Sequence, residues 1–267
     1  MFRGLIIGQY YPQDSVIHRL DPRTKIAVTM LFVVVLFLVN SIYGYIVMAA
    51  FGIFAVLLSR VPFGLILRGL RPIILILAFT LTLHLFFTKG EPLFSIGPLT
   101  AYREGAIQGT LVAVRLIVLI GTTSLLTLTT TPISLTDGME AILKPFQRVG
   151  VPAHELAMMM TIALRFIPTL LEEADKIMKA QIARGADFET GNVVQRARNL
   201  VPLLVPLFVG AFRRADDLAM AMEARCYRGG QGRTRMVQLR TAPRDYVALL
   251  AFGAITAVAI YLNRYAL

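Results

Sequence analysis

Apolar runs long enough to enter a lipid bilayer recur along this chain, and they leave few folds open to it. They cover roughly Ile26–Val39, Tyr43–Leu58, Ile73–Phe87, Ala106–Leu128 and Tyr246–Leu262. A helix needs about 17–25 predominantly apolar residues to cross the hydrocarbon core. The first run is short, but Lys25 and Asn40-Ser41 bound it sharply. Backbone N–H and C=O groups find no water inside a bilayer, so such runs form helices that satisfy them internally. The expected fold class is all-α: a polytopic membrane protein with about five spans. Composition agrees, since only 16% of residues are charged, where a soluble domain carries about 25%. The mean hydropathy is +0.67.

The basic residues orient the spans. Arg3, Arg19, Arg23 and Lys25 precede the first, and none lies between the first and second. Arg60, Arg68 and Arg71 follow the second, whereas Lys89 and Arg103 in the next connection are offset by Glu91 and Glu104. Sixteen Lys/Arg and twelve Asp/Glu fall between Pro132 and Tyr246. Cytoplasmic connections carry the excess of Lys and Arg. This alternation predicts an N-terminus inside and a C-terminus outside. The chain then divides into a four-span membrane domain at residues 1–131, a cytoplasmic helical domain at 132–245 and a final spanning helix at 246–267. The net charge of +11 is accounted for by loops beside anionic lipid, so nucleic acid is not an expected partner. Cys226 is the only cysteine, which excludes an internal disulfide. No apolar leader stretch is present between Met1 and Lys25, and a signal peptide is not expected.

The polar segment reads as helix. Ser134-Leu135-Thr136-Asp137 suits a cap before a short helix from Gly138 to Gln147. Val151-Pro152 opens a longer pattern in which Leu156, Met160, Ala163, Ile167, Leu170, Ala174 and Ile177 form an apolar stripe. Leu204, Phe208, Ala211, Ala215, Leu218 and Met222 repeat that spacing. Each stripe runs into the same short tract, Ala180-Gln181-Ile182-Ala183-Arg184-Gly185 and Ala221-Met222-Glu223-Ala224-Arg225-Cys226. Each arginine falls on the stripe of its own helix, at its C-terminal end. One such arginine is an ordinary helix terminus, favoured by the macrodipole. Two in one segment, in the same phase and with the same flanking alanines, point to a partner gripped twice. A guanidinium offers five donors in a fixed fork, and the small alanines allow close approach.

Other residues read more plainly. Asp21-Pro22 starts the first spanning helix with proline at its first position, and Arg23 and Lys25 are expected at the headgroup level. Glu172, Glu173 and Asp175, near Lys176 and Lys179, suit a solvated helix face. Leu200–Phe212 and Leu156–Leu171 are interrupted by Pro202, Pro206, Arg165 and Pro168 and read as interfacial or buried helices, with a sixth or seventh span as the competing reading. Arg115 and His84 fall within spans, where ionisable residues are functional candidates. Arg115 could line a cavity, contact a partner membrane protein or pair within the bundle; for His84 a bond to a neighbour is expected. The spans contain no Asp or Glu. The sequence has no G-x-x-x-x-G-K-[ST] loop, no H-E-x-x-H and no Cys/His cluster. No catalytic residues, no metal ligands and no directly bound cofactor are therefore expected. A stand-alone secondary transporter is the alternative class. It calls for polar residues near the midplane and usually a repeat of spans.

Several motifs together resemble one family. They are Gly8-Gln9-Tyr10 with Asp14-Ser15, the run His18-Arg19-Leu20-Asp21-Pro22-Arg23-Thr24-Lys25, the stretch Leu164-Arg165-Phe166-Ile167-Pro168, and the tracts Ala180–Gly185 and Ala221–Gly229. The chain resembles the transmembrane T component of energy-coupling factor transporters, in the branch shared among several substrate-binding subunits. The resemblance implies a prokaryotic cytoplasmic-membrane protein that joins two ABC-type ATPases to small, interchangeable membrane subunits that bind the vitamin. ATP would be bound by the ATPases. The segment 132–245 would be a coupling domain, with Ala183, Arg184, Gly185, Ala224, Arg225 and Cys226 docking the ATPases. Arg115 would be a candidate contact for the membrane subunit.

Overall fold

The computed structural model describes residues 10–96, 99–188, 190, 192–229 and 239–265; Gly8 and Gln9 of the N-terminal motif lie outside them. The chain forms helices α1 (Pro22–Leu38), α2 (Ile42–Ser59), α3 (Phe63–Leu70) and α4 (Ile74–Phe87). A hairpin of β1 (Pro92–Ile96) and β2 (Leu99–Tyr102) follows. Then come α5 (Arg103–Thr129), α6 (Pro132–Leu143), α7 (Ala153–Ala183), α8 (Val193–Ala224) and α9 (Pro243–Tyr265). The fold is all-α and polytopic, as expected. The hairpin, with Ile96 opposite Leu99, is the one element type that the apolar runs do not announce.

Among the described residues, five helical stretches are long and apolar enough to cross a membrane. Four are expected spans: α2, the continuous stretch Phe63–Phe87, α5 and α9, with mean hydropathies of 1.9–2.1. The fifth is α7, at 1.2, whose apolar run the sequence reads as interfacial or buried, with a further span as the alternative. Its character changes along its length. The first half, through Leu171, is apolar, and the second carries Glu172, Glu173, Asp175, Lys176 and Lys179. Conversely α1, the expected first span, is only 17 residues long. One side of it, with Phe32, Val35 and Leu36, is buried, and the other, with Met30, Val34 and Leu38, is exposed.

The described residues divide into two compact units, 10–139 with 239–265, and 140–229. In the first, Phe32 and Leu36 of α1, Tyr45 and Met48 of α2 and Phe252 and Ala259 of α9 form one core cluster. The rings of Phe32, Phe51 and Phe252 pack with centroids 5.7–6.4 Å apart. α4 and α5 approach through Gly105 and Gly109, four residues apart. A Cβ on Gly105 would overlap the His84 carbonyl, and one on Gly109 would lie 3.1 Å from the His84 Cβ. Small residues at this spacing let membrane helices touch along their backbones. The outward side chains of this unit are apolar: Leu75, Phe87 and Leu250 are more than 70% exposed, the surface lipid demands.

Helix starts follow local chemistry. Asp21 caps α1 by accepting from the Arg23 N–H at 2.9 Å, with Pro22 at the first helical position. Ser41 caps α2 through the Gly44 N–H at 3.1 Å. α6 begins earlier than the sequence pattern suggests. Thr131, not Ser134, accepts the Ser134 N–H at 3.2 Å, and Pro132 supplies the first position. The expected helix from Gly138 is the second half of α6, and Lys144–Val149 continues as a tighter 3-10 turn.

The run His18–Lys25 is a joint rather than a headgroup anchor. Lys25 is buried, 7% exposed. Its ammonium donates to the carbonyls of His18 (3.2 Å) and Thr129 (3.0 Å) and to Thr130 Oγ1 (3.2 Å), so it caps the C-terminal end of α5. Asp245, 2% exposed, accepts the Asp21 N–H at 2.8 Å and the Ala242 N–H at 2.7 Å. One buried cluster thus ties the ends of α1, α5 and α9. His18 braces it by donating from Nε2 to the Tyr11 carbonyl at 3.0 Å, which leaves Nδ1 to accept from Ser15 at 2.7 Å. Burial holds its imidazole below the ordinary value, which favours this neutral form.

Candidate functional site

The two Ala-x-x-Ala-Arg tracts fold into the same structure. α7 ends at Ala183 with Arg184 as its cap; the Gly185 N–H donates to Ile182 O at 2.9 Å and the Ala186 N–H to Gln181 O at 2.9 Å. α8 ends at Ala224; the Cys226 N–H donates to Glu223 O at 2.8 Å and the Tyr227 N–H to Met222 O at 3.1 Å. Both are Schellman stops, which need a left-handed residue just past the cap. Gly185 supplies it with φ 87°, and Cys226 supplies it with φ 55°. The substitution of cysteine for glycine therefore leaves the second cap geometry intact. Ala183, Arg184 and Gly185, and Ala224, Arg225 and Cys226, are all exposed.

The repeat extends inward from these tips. Positions 41 apart correspond: Arg184 with Arg225, and Glu173 with Arg214. Glu173 and Arg214 form an ion pair between α7 and α8, with side chains 27% and 30% exposed. Gly210 lies against the Glu173 carboxylate, where a Cβ would come within 3.0 Å. Glu173 thus turns inward, off the solvated face, whereas Asp175 pairs with Lys179 at 2.6 Å on the outside. Ile162 and Phe166 line a groove with Leu218 and Met222, so the helices cross antiparallel. Arg184 and Arg225 each lie eleven residues past their bridge partner. That is about 16 Å along each axis at about 1.5 Å per residue, in opposite directions.

The contact face is shifted from the expected stripes. Ile162 and Phe166 face α8, and Leu203 is 5% exposed; Ile162 matches Leu203 in the 41-residue repeat, and Phe166 matches Leu207. Leu156, Met160, Leu204 and Phe208 are 40–60% exposed. Leu170, Ala211, Leu218 and Met222 do line the groove. A straight helix drifts by about 20° per heptad against a strict seven-residue repeat, so an extended stripe leaves the contact face.

A further tie fixes the second tip. The Tyr227 hydroxyl, two residues past Arg225, donates to Met158 Sδ at 2.9 Å and lies 3.4 Å from His154 Nε2. His154 is 8% exposed, and its Nδ1 meets Glu140 at 3.0 Å. The end of α8 is thereby clipped to the start of α7. Sequence spacing gives no sign of this, because the partners lie 69 and 73 residues apart.

Arg115 belongs to the other unit. Its guanidinium bonds the Tyr45 hydroxyl and reaches Val39 O at 3.4 Å and Asn40 Oδ1 at 3.5 Å. It stacks over the rings of Phe37 and Tyr45, 5.4 and 5.2 Å from their centroids. Of the three roles open to it, the structure displays pairing within the bundle, where it caps the end of α1. His84 bonds its own helix, Nδ1 to Thr80 O at 2.9 Å. Among the described residues no group of three His, Cys, Asp or Glu side chains is placed to hold a metal ion.

Comparison with known proteins agrees with this architecture. The family model described as cobalt transport protein (CbiQ) matches residues 13–236. A protein of Thermosediminibacter oceani named energy-coupling factor transporter transmembrane protein EcfT is 62% identical, over 98% of this chain and 99% of its own length. Proteins of the same name from Clostridium kluyveri and Bacillus subtilis are 57% and 50% identical, over 97% and 98% of this chain and 97% and 100% of their own lengths. With the match covering both units and both arginine-tipped helices, this multi-pass membrane protein belongs to the family of energy-coupling factor transporter transmembrane components.

Proposed function

We propose that this chain is the coupling subunit of an ATP-driven vitamin or micronutrient uptake transporter in a prokaryotic cytoplasmic membrane, with its N-terminus inside. In this reading Arg184 and Arg225 each enter a groove on one of two ABC-type ATPases. The observation that carries it is the repeated tip: two exposed guanidinium groups on identical helix stops, symmetric about the Glu173–Arg214 bridge. ATP-driven closure of the ATPases moves the tips, and α7 and α8 carry that movement to a small substrate-binding membrane subunit. The chain itself binds no ATP in this scheme. Several interchangeable substrate-binding subunits would share it, as the N-terminal motif suggests.

A guanidinium docked in a partly buried groove leaves carboxylates or carbonyls unpaired when it is removed, at a cost of about 2–5 kcal/mol. Arg184→Ala or Arg225→Ala should therefore reduce ATPase recovery with the tagged chain by tenfold or more, or leave ATP hydrolysis running without uptake. The double variant should abolish assembly. Unchanged co-purification and unchanged uptake in both single variants would rule the docking role out.

A further inference from the structure

Beside the Lys25 joint, α1, α2, α5 and α9 leave an apolar cavity of about 400 Å³ walled by residues such as Val28, Phe32, Phe51, Leu125 and Ala251. That is within the range of about 300–1,000 Å³ typical of small-molecule sites. The cavity opens outward, since Val16 and Val247 on its wall are 56% and 65% exposed. At that opening it runs into a second hollow. Val16, Leu58 and Arg244 line both, and Asp14, Arg19 and Arg60 complete the second.

The charge of this mouth is unbalanced. Arg19 is tied to Asp14. Arg60 and Arg244, both exposed, form no ion pair among the described residues. Lys25 also lines the cavity, but its three donors are spent on His18, Thr129 and Thr130 and the carboxylates of Asp245 and Asp21 offset its charge. Asp14 faces Arg60 as well as Arg19, but one carboxylate against the three guanidinium groups of Arg19, Arg60 and Arg244 leaves the rim of the apolar hollow with a net positive charge, on helices whose surroundings are lipid. A soluble anion would match the rim and leave the hollow empty. An uncharged lipid would do the reverse. Only an amphiphile with an anionic head satisfies both parts.

We propose that this hollow binds one molecule of an anionic glycerophospholipid, with its phosphate between Arg60 and Arg244 and an acyl chain along Val28, Phe51 and Leu125. Nothing in this site depends on the role of Arg184 and Arg225. The test uses the full chain, purified in mild detergent and stripped of lipid. Phosphatidylglycerol, phosphatidylcholine and inorganic phosphate are added in turn, with binding read by native mass spectrometry and thermal unfolding. Phosphatidylglycerol should stay bound and raise the Tm well beyond phosphatidylcholine, and inorganic phosphate should do neither. Arg60→Gln with Arg244→Gln should weaken phosphatidylglycerol by tenfold or more, each arginine counting for about fivefold, and leave phosphatidylcholine unchanged. Ala251→Phe, which fills the hollow, should displace both lipids. Equal retention of the two lipids by the wild-type chain overturns the proposal, as does an effect of inorganic phosphate equal to that of phosphatidylglycerol. If the double arginine variant does not fold, that wild-type comparison decides alone.

Discussion

Cys226 stands where its counterpart in the repeat is Gly185, and it takes a left-handed conformation that costs an L-residue about 1–2 kcal/mol. Cys226→Gly should therefore stabilise the α8 stop. An increase of about 1 kcal/mol in unfolding stability is expected, read as a higher Tm in detergent. Cys226→Val, β-branched at the same φ, should lower the Tm. The reverse order would show that the stop is set by something other than backbone conformation. Arg115 makes the complementary point about a residue in the bilayer. Its position in the sequence gives depth but not direction. The side chain is long enough to reach the α1–α2 turn, so a residue many positions from a helix end serves as that end's cap.

At the scale of elements, α4 and α5 approach closely through Gly105 and Gly109. Gly105→Leu would drive a side chain into the His84 carbonyl. Helix separation rather than rotamer adjustment is the only relief. A loss of at least about 1–3 kcal/mol is expected, seen as a lower Tm and a smaller folded fraction in detergent. Gly253→Ala, in open space on α9, is the control and should change little. The sequence makes α2, α4, α5 and α9 legible because a bilayer imposes length and apolarity directly. α7 is harder, since half of it is apolar and half charged and neither half describes the helix. The starts at Asp21 and Ser41 follow from capping chemistry, yet at α6 two hydroxyl residues compete and Thr131 wins because Pro132 follows it. The repeated arginine tips are legible because they are local. The Lys25 joint, the Tyr227 clip and the inward turn of Glu173 are not, because their partners are 41 to 105 residues away.

For the whole molecule, Cys226 is a built-in reporter. It is the only cysteine, exposed, and next to Arg225. If the N-terminus is inside, as proposed, a membrane-impermeant maleimide should label the chain, expressed without partners, in inside-out vesicles and not in intact cells. Labelling from outside would reverse the orientation and with it the assignment of 132–245 to the cytoplasm.

The prolines within α7 and α8, Pro168, Pro202 and Pro206, all precede the Glu173–Arg214 bridge. Proline removes a helical hydrogen bond and softens the helix where it sits. Beyond the bridge both segments, Ala174–Ala183 and Ala215–Ala224, lack proline and glycine. Mechanically, each tip is the end of a stiff arm and the compliance lies on the far side of the pivot. The arms are equal in length, but the α8 arm is also tied to the start of α7 through Tyr227, so a push at that tip passes to α7 directly as well as through the crossing.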